Sequence, residues 1–160
     1  MTAVAVERET ARGLVSDQFF ARLSKRVMTN NVIAPELADR ITEQALAYLA
    51  TAAQKPKDAP TLYMSPMVDL GWHAFMEYTK QYDEFFVSHG WPKVHHRPCD
   101  GYGGEVYPPA ETVLPLTVQA IERAGYNPDP ELWDANRVDC GDTCGDDGGG
   151  GNPPDCGHSH

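Results

Sequence analysis

The residues best equipped for chemistry are Asp69, His73 and the pair His95-His96. Asp69 and His73 stand four positions apart, so on a helix their side chains meet on one face. His95-His96 follow some twenty residues later in a stretch closed by Pro98. Two or three imidazoles with one carboxylate form a recurrent ligand set for Zn²⁺ or non-haem Fe²⁺, with coordination positions left for water or substrate. Neighbouring side chains in extended chain point in opposite directions, so one of His95 and His96 is expected to face a given centre. Trp72 and Tyr82 are expected beside the ligands, supporting them. The same residues fit two further uses. An Asp and a His one helical turn apart can simply hold each other in a structural hydrogen-bond network, or serve metal-free acid/base catalysis.

The C-terminal segment carries a second set. Cys140, Cys144, Cys156, His158 and His160 lie on a glycine-rich tether and could wrap Zn²⁺ or Cu⁺. Their spacing matches no regular zinc knuckle. A plain flexible end, or a substrate for redox chemistry or modification, are the other readings. Cys99 lies close to the histidine pair in sequence, and Tyr102 to Tyr107 is a glycine-containing stretch. The thiol reads as incidental. The glycine stretch lacks the preceding strand and following Lys-Ser/Thr of a phosphate loop.

These residues need elements to hold them. Ser16 can cap a first helix that carries Phe19, Phe20, Leu23 and Val27 and breaks at Asn30-Asn31. Pro35 opens a second helix, in which Leu37, Ile41, Ala45, Tyr48, Leu49 and Ala52 recur at steps of three and four. Ser65-Pro66 reads as the cap and first turn of a third helix. This helix runs to about Tyr78 and restarts through Tyr82, Phe85 and Phe86 until Gly90. Residues 91–109, rich in proline and glycine, are expected to be irregular. A last helix is expected from Thr112 to Ala124, with Pro115 in its first turn and Gly125 as its stop. Asp129 to Trp133 should add a turn that packs Leu132 and Trp133 on the core.

The fold expectation is therefore an all-α bundle of about four main helices, with a long irregular loop between the third and the fourth. The expected core comprises Phe19, Leu23, Leu37, Ile41, Leu49, Trp72, Phe75, Phe86, Leu116, Ile121 and Trp133. Residues 1–138 form the helical domain. Residues 139–160 form a tail rich in Gly, Asp, Cys and His that contains no Val, Ile, Leu, Phe, Trp or Tyr. Without large apolar side chains it cannot offset its chain entropy, and disorder is expected.

At 160 residues with a formal net charge of −10, the chain fits one acidic domain. Its basic residues are scattered, which argues against nucleic acid or an anionic membrane as partner. The first thirteen residues hold no apolar run of signal-peptide length, and no stretch approaches a membrane span. A cytoplasmic protein is expected, without a disulfide framework.

The sequence Pro66-Met-Val-Asp69-Leu-Gly-Trp72-His73, followed by Tyr82, Gly90 and Val94-His95-His96-Arg-Pro98, resembles the glycine-rich domain-containing proteins of plants and bacteria. Ala124 to Trp133 is similar to the closing segment of the bacterial members. Two features of that group are replaced here: Phe75 stands where a second histidine often follows, and Phe85-Phe86 where a cysteine is common. The resemblance implies kinship without a settled activity. The functional expectation is a small binding or scaffold module with a protein or peptide partner and a candidate metal site. The alternative is a mononuclear Zn or non-haem Fe enzyme, hydrolytic or oxidative.

Overall fold

The computed structural model describes residues 9–98, 102–104, 106–135 and the backbone of 145–146. Five helices make up the fold: α1 (Asp17–Asn31), α2 (Pro35–Gln54), α3 (Pro66–Met76), α4 (Thr79–His89) and α5 (Ala110–Arg123). Short 3-10 turns lie at Ala11–Leu14 and Tyr102–Gly104. Two two-residue strands, β1 (His96–Arg97) and β2 (Gly145–Asp146), pair with each other. The architecture is all-α. Among the described residues, no helix is long and apolar enough to cross a membrane.

Helix α2 is the centre of the bundle and packs on α1, α3 and α5. It begins at Pro35, whose missing N–H is one of the unpaired donors of any first turn. Its buried positions include Ala38, Ile41, Ala45, Leu46, Tyr48, Leu49 and Ala52, so it is covered on most sides. Much of that surface is alanine, which lets neighbouring helices approach closely. Gly71 of α3 uses this closeness: a Cβ built there would lie 2.7 Å from Ala45 Cβ and 3.0 Å from the Ile41 carbonyl oxygen. Gly71→Ala gains about 1 kcal/mol in helix propensity, but overpacking of this kind costs about 1–3 kcal/mol. We expect a net loss of about 1 kcal/mol, read as a lower denaturant midpoint. A midpoint raised above that of the parent would show that the helices separate freely there.

The capping signals are where the sequence places them. Ser16 accepts a hydrogen bond from Phe19 N, and Ser65 accepts one from Val68 N. Ser65 Oγ also donates to the Leu132 carbonyl at 2.6 Å. Helix α1 ends differently from expectation. Asn31 remains helical and its side chain donates to Val27 O, while the stop is Val32, in the left-handed region at φ 52°.

Three expectations need correction. Leu116 is 46% exposed, because the face that α5 buries carries Ala110, Val113, Leu114, Thr117 and Ile121. Helix α5 starts two residues early, directly after Pro108-Pro109, which moves Pro115 out of the first turn and into the helix interior. The loop after α4 is not wholly irregular, since it contains β1 and a 3-10 turn. The rest of the expected core is buried, or packs half-buried against it as Phe19 and Leu37 do.

Residues 129–133 form the expected turn and are tied to α2. Arg40 holds Asp129 through both oxygens at 2.7 and 2.9 Å. Gln44 accepts from Trp133 Nε1 at 2.7 Å and donates to Asn127 O at 3.0 Å. Of the C-terminal segment, Cys140, Cys144, Cys156, His158 and His160 lie outside the described residues, as does Cys99. The expectation of a disordered tail concerns largely those same residues. Gly145 and Asp146 are described, and their backbone runs antiparallel to Arg97 and His96 respectively.

Candidate metal centre

Asp69 and His73 sit on α3, and the Ser65 cap fixes where that helix begins. The chain then reverses. Tyr78 separates α3 from α4, and α4 ends in a Schellman motif: Gly90, at φ 69°, donates from its N–H to Val87 O, while Trp91 N donates to Phe86 O. That turn sends residues 91–97 back along α3. A buried strut sets how far they return. Trp72 Nε1 donates to the Tyr82 hydroxyl at 2.8 Å, and the hydroxyl donates to the Val94 carbonyl at 2.6 Å. The Trp72 ring is also packed edge-on against His96 at 4.5 Å between centroids.

The result is a cluster of candidate ligand atoms from Asp69, His73 and His96, and it is the one such group of His, Cys, Asp or Glu found among the described residues. His96 Nε2 lies 3.0 Å from Asp69 Oδ1, His73 Nε2 lies 3.1 Å from Asp69 Oδ2, and the two Nε2 atoms are 2.9 Å apart. Asp69 and His96 are mostly covered, with 13% and 9% of their side chains exposed, whereas 56% of the His73 side chain is exposed. The group thus has a buried back and an open front.

Burial pushes the Asp69 pKa up. The hydrogen bonds and charges of His73 and His96 outweigh it and hold the carboxyl below its ordinary value. An ionised carboxylate only accepts hydrogen bonds. Each Nε2 carries at most one hydrogen, which it can donate to its own Asp69 oxygen, His96 to Oδ1 and His73 to Oδ2, with the two ring nitrogens 2.9 Å apart. A cation among the three side chains would use the same atoms as lone-pair donors. The two imidazole contacts fall on different carboxylate oxygens, Oδ1 for His96 and Oδ2 for His73.

His95 does not join the group. It is exposed and lines an adjoining cleft of about 270 Å³ with Met76, Thr79, Asp83 and Lys93. His96 is shared between cleft and cluster. Lys93 reaches Asp83 at 2.5 Å and lies over the Tyr82 ring. Nothing in the sequence marks Thr79, Asp83 and Lys93 as neighbours of the histidines. Only the reversal at Gly90 brings the α4 residues Thr79 and Asp83 opposite Lys93, and no local spacing announces it.

Comparison with family models, with curated proteins and with solved structures finds no match to this chain. What the fold and the site define is an all-α domain bearing an Asp-His-His cluster at the junction of α3 and β1.

Proposed function

We propose that this chain is a small metal-binding helical module in which Asp69, His73 and His96 hold one divalent first-row ion, Zn²⁺ or Fe²⁺, on a single face. The observation that carries this reading is the convergence of the three side chains, each Nε2 within about 3.1 Å of an Asp69 oxygen and 2.9 Å from the other ring, so that all three offer ligand atoms to one cation. Two imidazoles and a carboxylate leave coordination positions open toward the side where His73 is exposed. The module's role is binding, with a protein, a peptide or a small molecule completing the coordination. The residues used here, Asp69, Trp72, His73 and His96, carry much of the resemblance to the glycine-rich domain-containing proteins, and on them we place the chain beside that group.

A catalytic use of the same ion, hydrolytic or oxidative, is the second reading. The cleft next to His96 favours it, because a substrate there would lie against a ligand of the metal.

Metal content decides the first reading. Tag-free full-length protein and its Asp69→Asn and His73→Ala variants are loaded with Zn²⁺, passed over a desalting column and analysed for metal. The tail cysteines and histidines are common to all three, so only the difference counts. The parent should hold about one equivalent more than either variant, since one ion is bound by ligands assembled on folding. A difference below about a tenth of an equivalent would leave the cluster a hydrogen-bonded tie between α3 and the loop.

A further inference from the structure

Strand β1 consists of His96 and Arg97, so one of the three ligand residues is itself half of a strand. Its partner comes from some fifty positions further along the chain: Gly145–Asp146 pairs antiparallel with β1, His96 opposite Asp146 and Arg97 opposite Gly145. A two-stranded ladder of this length has little stability of its own in water. It depends on how well one strand is held in place beforehand.

The held strand is β1. The Tyr82 hydroxyl fixes the Val94 carbonyl two residues before it, and the Tyr107 hydroxyl donates to the Pro98 carbonyl at 3.1 Å just after it. Between these two points, the His96 side chain is held by Asp69 and by the edge of Trp72. A further link, between the two Nε2 atoms 2.9 Å apart, runs to the exposed His73 ring. An ion on the cluster replaces that link with a ligand bond to each ring and locks the His96 backbone through its side chain.

From this we infer that the edge of β1 is a docking site for the chain's own C-terminal segment, and that docking is coupled to occupancy of the metal centre. The inference rests on the metal reading proposed above. An ion that fixes His96 presents a ready strand edge to Gly145–Asp146, and the paired segment in turn holds His96 in its ligating position. Because the coupling is a free energy between two sites, each event must favour the other by the same factor. The expected factor is about fivefold, at the lower end of such couplings, as suits a ladder of two residues on each strand.

The test keeps every thiol and imidazole of the tail. A full-length variant carrying Gly145→Pro and Asp146→Pro removes both backbone donors of β2, and an Asp146→Ala chain measured beside it accounts for the carboxylate that is also lost. Zn²⁺ affinity is measured by competition with a chromophoric chelator for the parent and the double-proline chain. The His73→Ala form of each is measured alongside, to subtract metal taken up by the tail. Removal of β2 should weaken the His73-dependent site about fivefold. Reciprocally, saturating Zn²⁺ should slow amide hydrogen exchange at Gly145 and Asp146 by a similar factor in the parent, and leave it unchanged when His73 is alanine. Equal affinities in parent and double-proline proteins, or exchange insensitive to Zn²⁺, would overturn the coupling while leaving the metal centre standing. Absence of any His73-dependent uptake in the parent would overturn both.

Discussion

Trp72→Ala is expected to lower the free energy of unfolding by about 3–5 kcal/mol, the usual range for removing a fully buried indole. Trp72 is the largest side chain with no exposure, and it lies where the bundle meets the site. Its ring sits 5.5 Å from that of Tyr48 on α2, and its edge supports His96 at 4.5 Å. Its Nε1 donates to the Tyr82 hydroxyl. The substitution therefore opens a cavity between α2 and α3 and removes the donor that orients the strut to Val94. Against a typical total stability of about 5–15 kcal/mol, the loss is large enough to leave part of the protein unfolded at room temperature. Chemical denaturation followed by far-ultraviolet circular dichroism measures it. Trp72→Phe separates most of the two contributions, since it keeps the larger part of the ring volume and loses the donor; its loss should stay at about 1–2 kcal/mol. A Trp72→Ala loss below about 2 kcal/mol would mean that the site collapses around the missing ring.

The helices were legible in the sequence because their signals are local. Ser16 and Ser65 accept the hydrogen bonds that caps are there to accept, and the periodic residues of α2 face the core. Gly90 ends α4 with the left-handed backbone that favours glycine. Errors arose where the deciding contact is distant. Leu116 has helical spacing as good as that of Leu114, and only the placement of α5 against α2 and the residues around Tyr63 decides which of them is covered. Thr117 hydrogen-bonds to Tyr63 across the bundle at 2.8 Å and so sets the rotation of α5, leaving Leu116 outside. The same division holds at the site. Asp69 and His73 could be paired from their spacing alone. The choice between His95 and His96 depends on the phase with which residues 91–97 return along α3, and the Tyr82–Val94 hydrogen bond, which joins residues twelve apart in sequence, sets that phase. The pairing of β1 with Gly145–Asp146 has no signal in composition, because a backbone ladder uses no particular side chain.

That choice between neighbouring histidines gives the other large expected effect. His96→Ala should weaken Zn²⁺ binding at the cluster by at least about a hundredfold, beyond the 10- to 100-fold typical of losing an outer partner of a ligand. A hundredfold corresponds to about 2.7 kcal/mol. His95→Ala, one residue away, should change it by less than about twofold, because His95 faces the cleft and supplies no atom to the cluster. Both variants lose one imidazole and keep the whole tail, so adventitious metal on the C-terminal cysteines and histidines cancels between them. Melting curves give an independent reading. Zn²⁺ at 100 times its dissociation constant stabilises the native state by about 2.7 kcal/mol through mass action, so His95→Ala should melt higher with the metal than without it. At that same Zn²⁺ concentration His96→Ala should show less than half of this stabilisation. In the metal-free state His96→Ala should still unfold in one cooperative transition, since Asp69 and His73 stay paired on α3 and the Trp72–Tyr82–Val94 strut uses no atom of His96. Equal losses of affinity in the two variants would show that the histidine pair acts as a diffuse positive patch. Equal retention would show that His96 is a structural link from Asp69 to the loop. Only a wide gap between adjacent residues is what a centre built on Asp69, His73 and His96 requires.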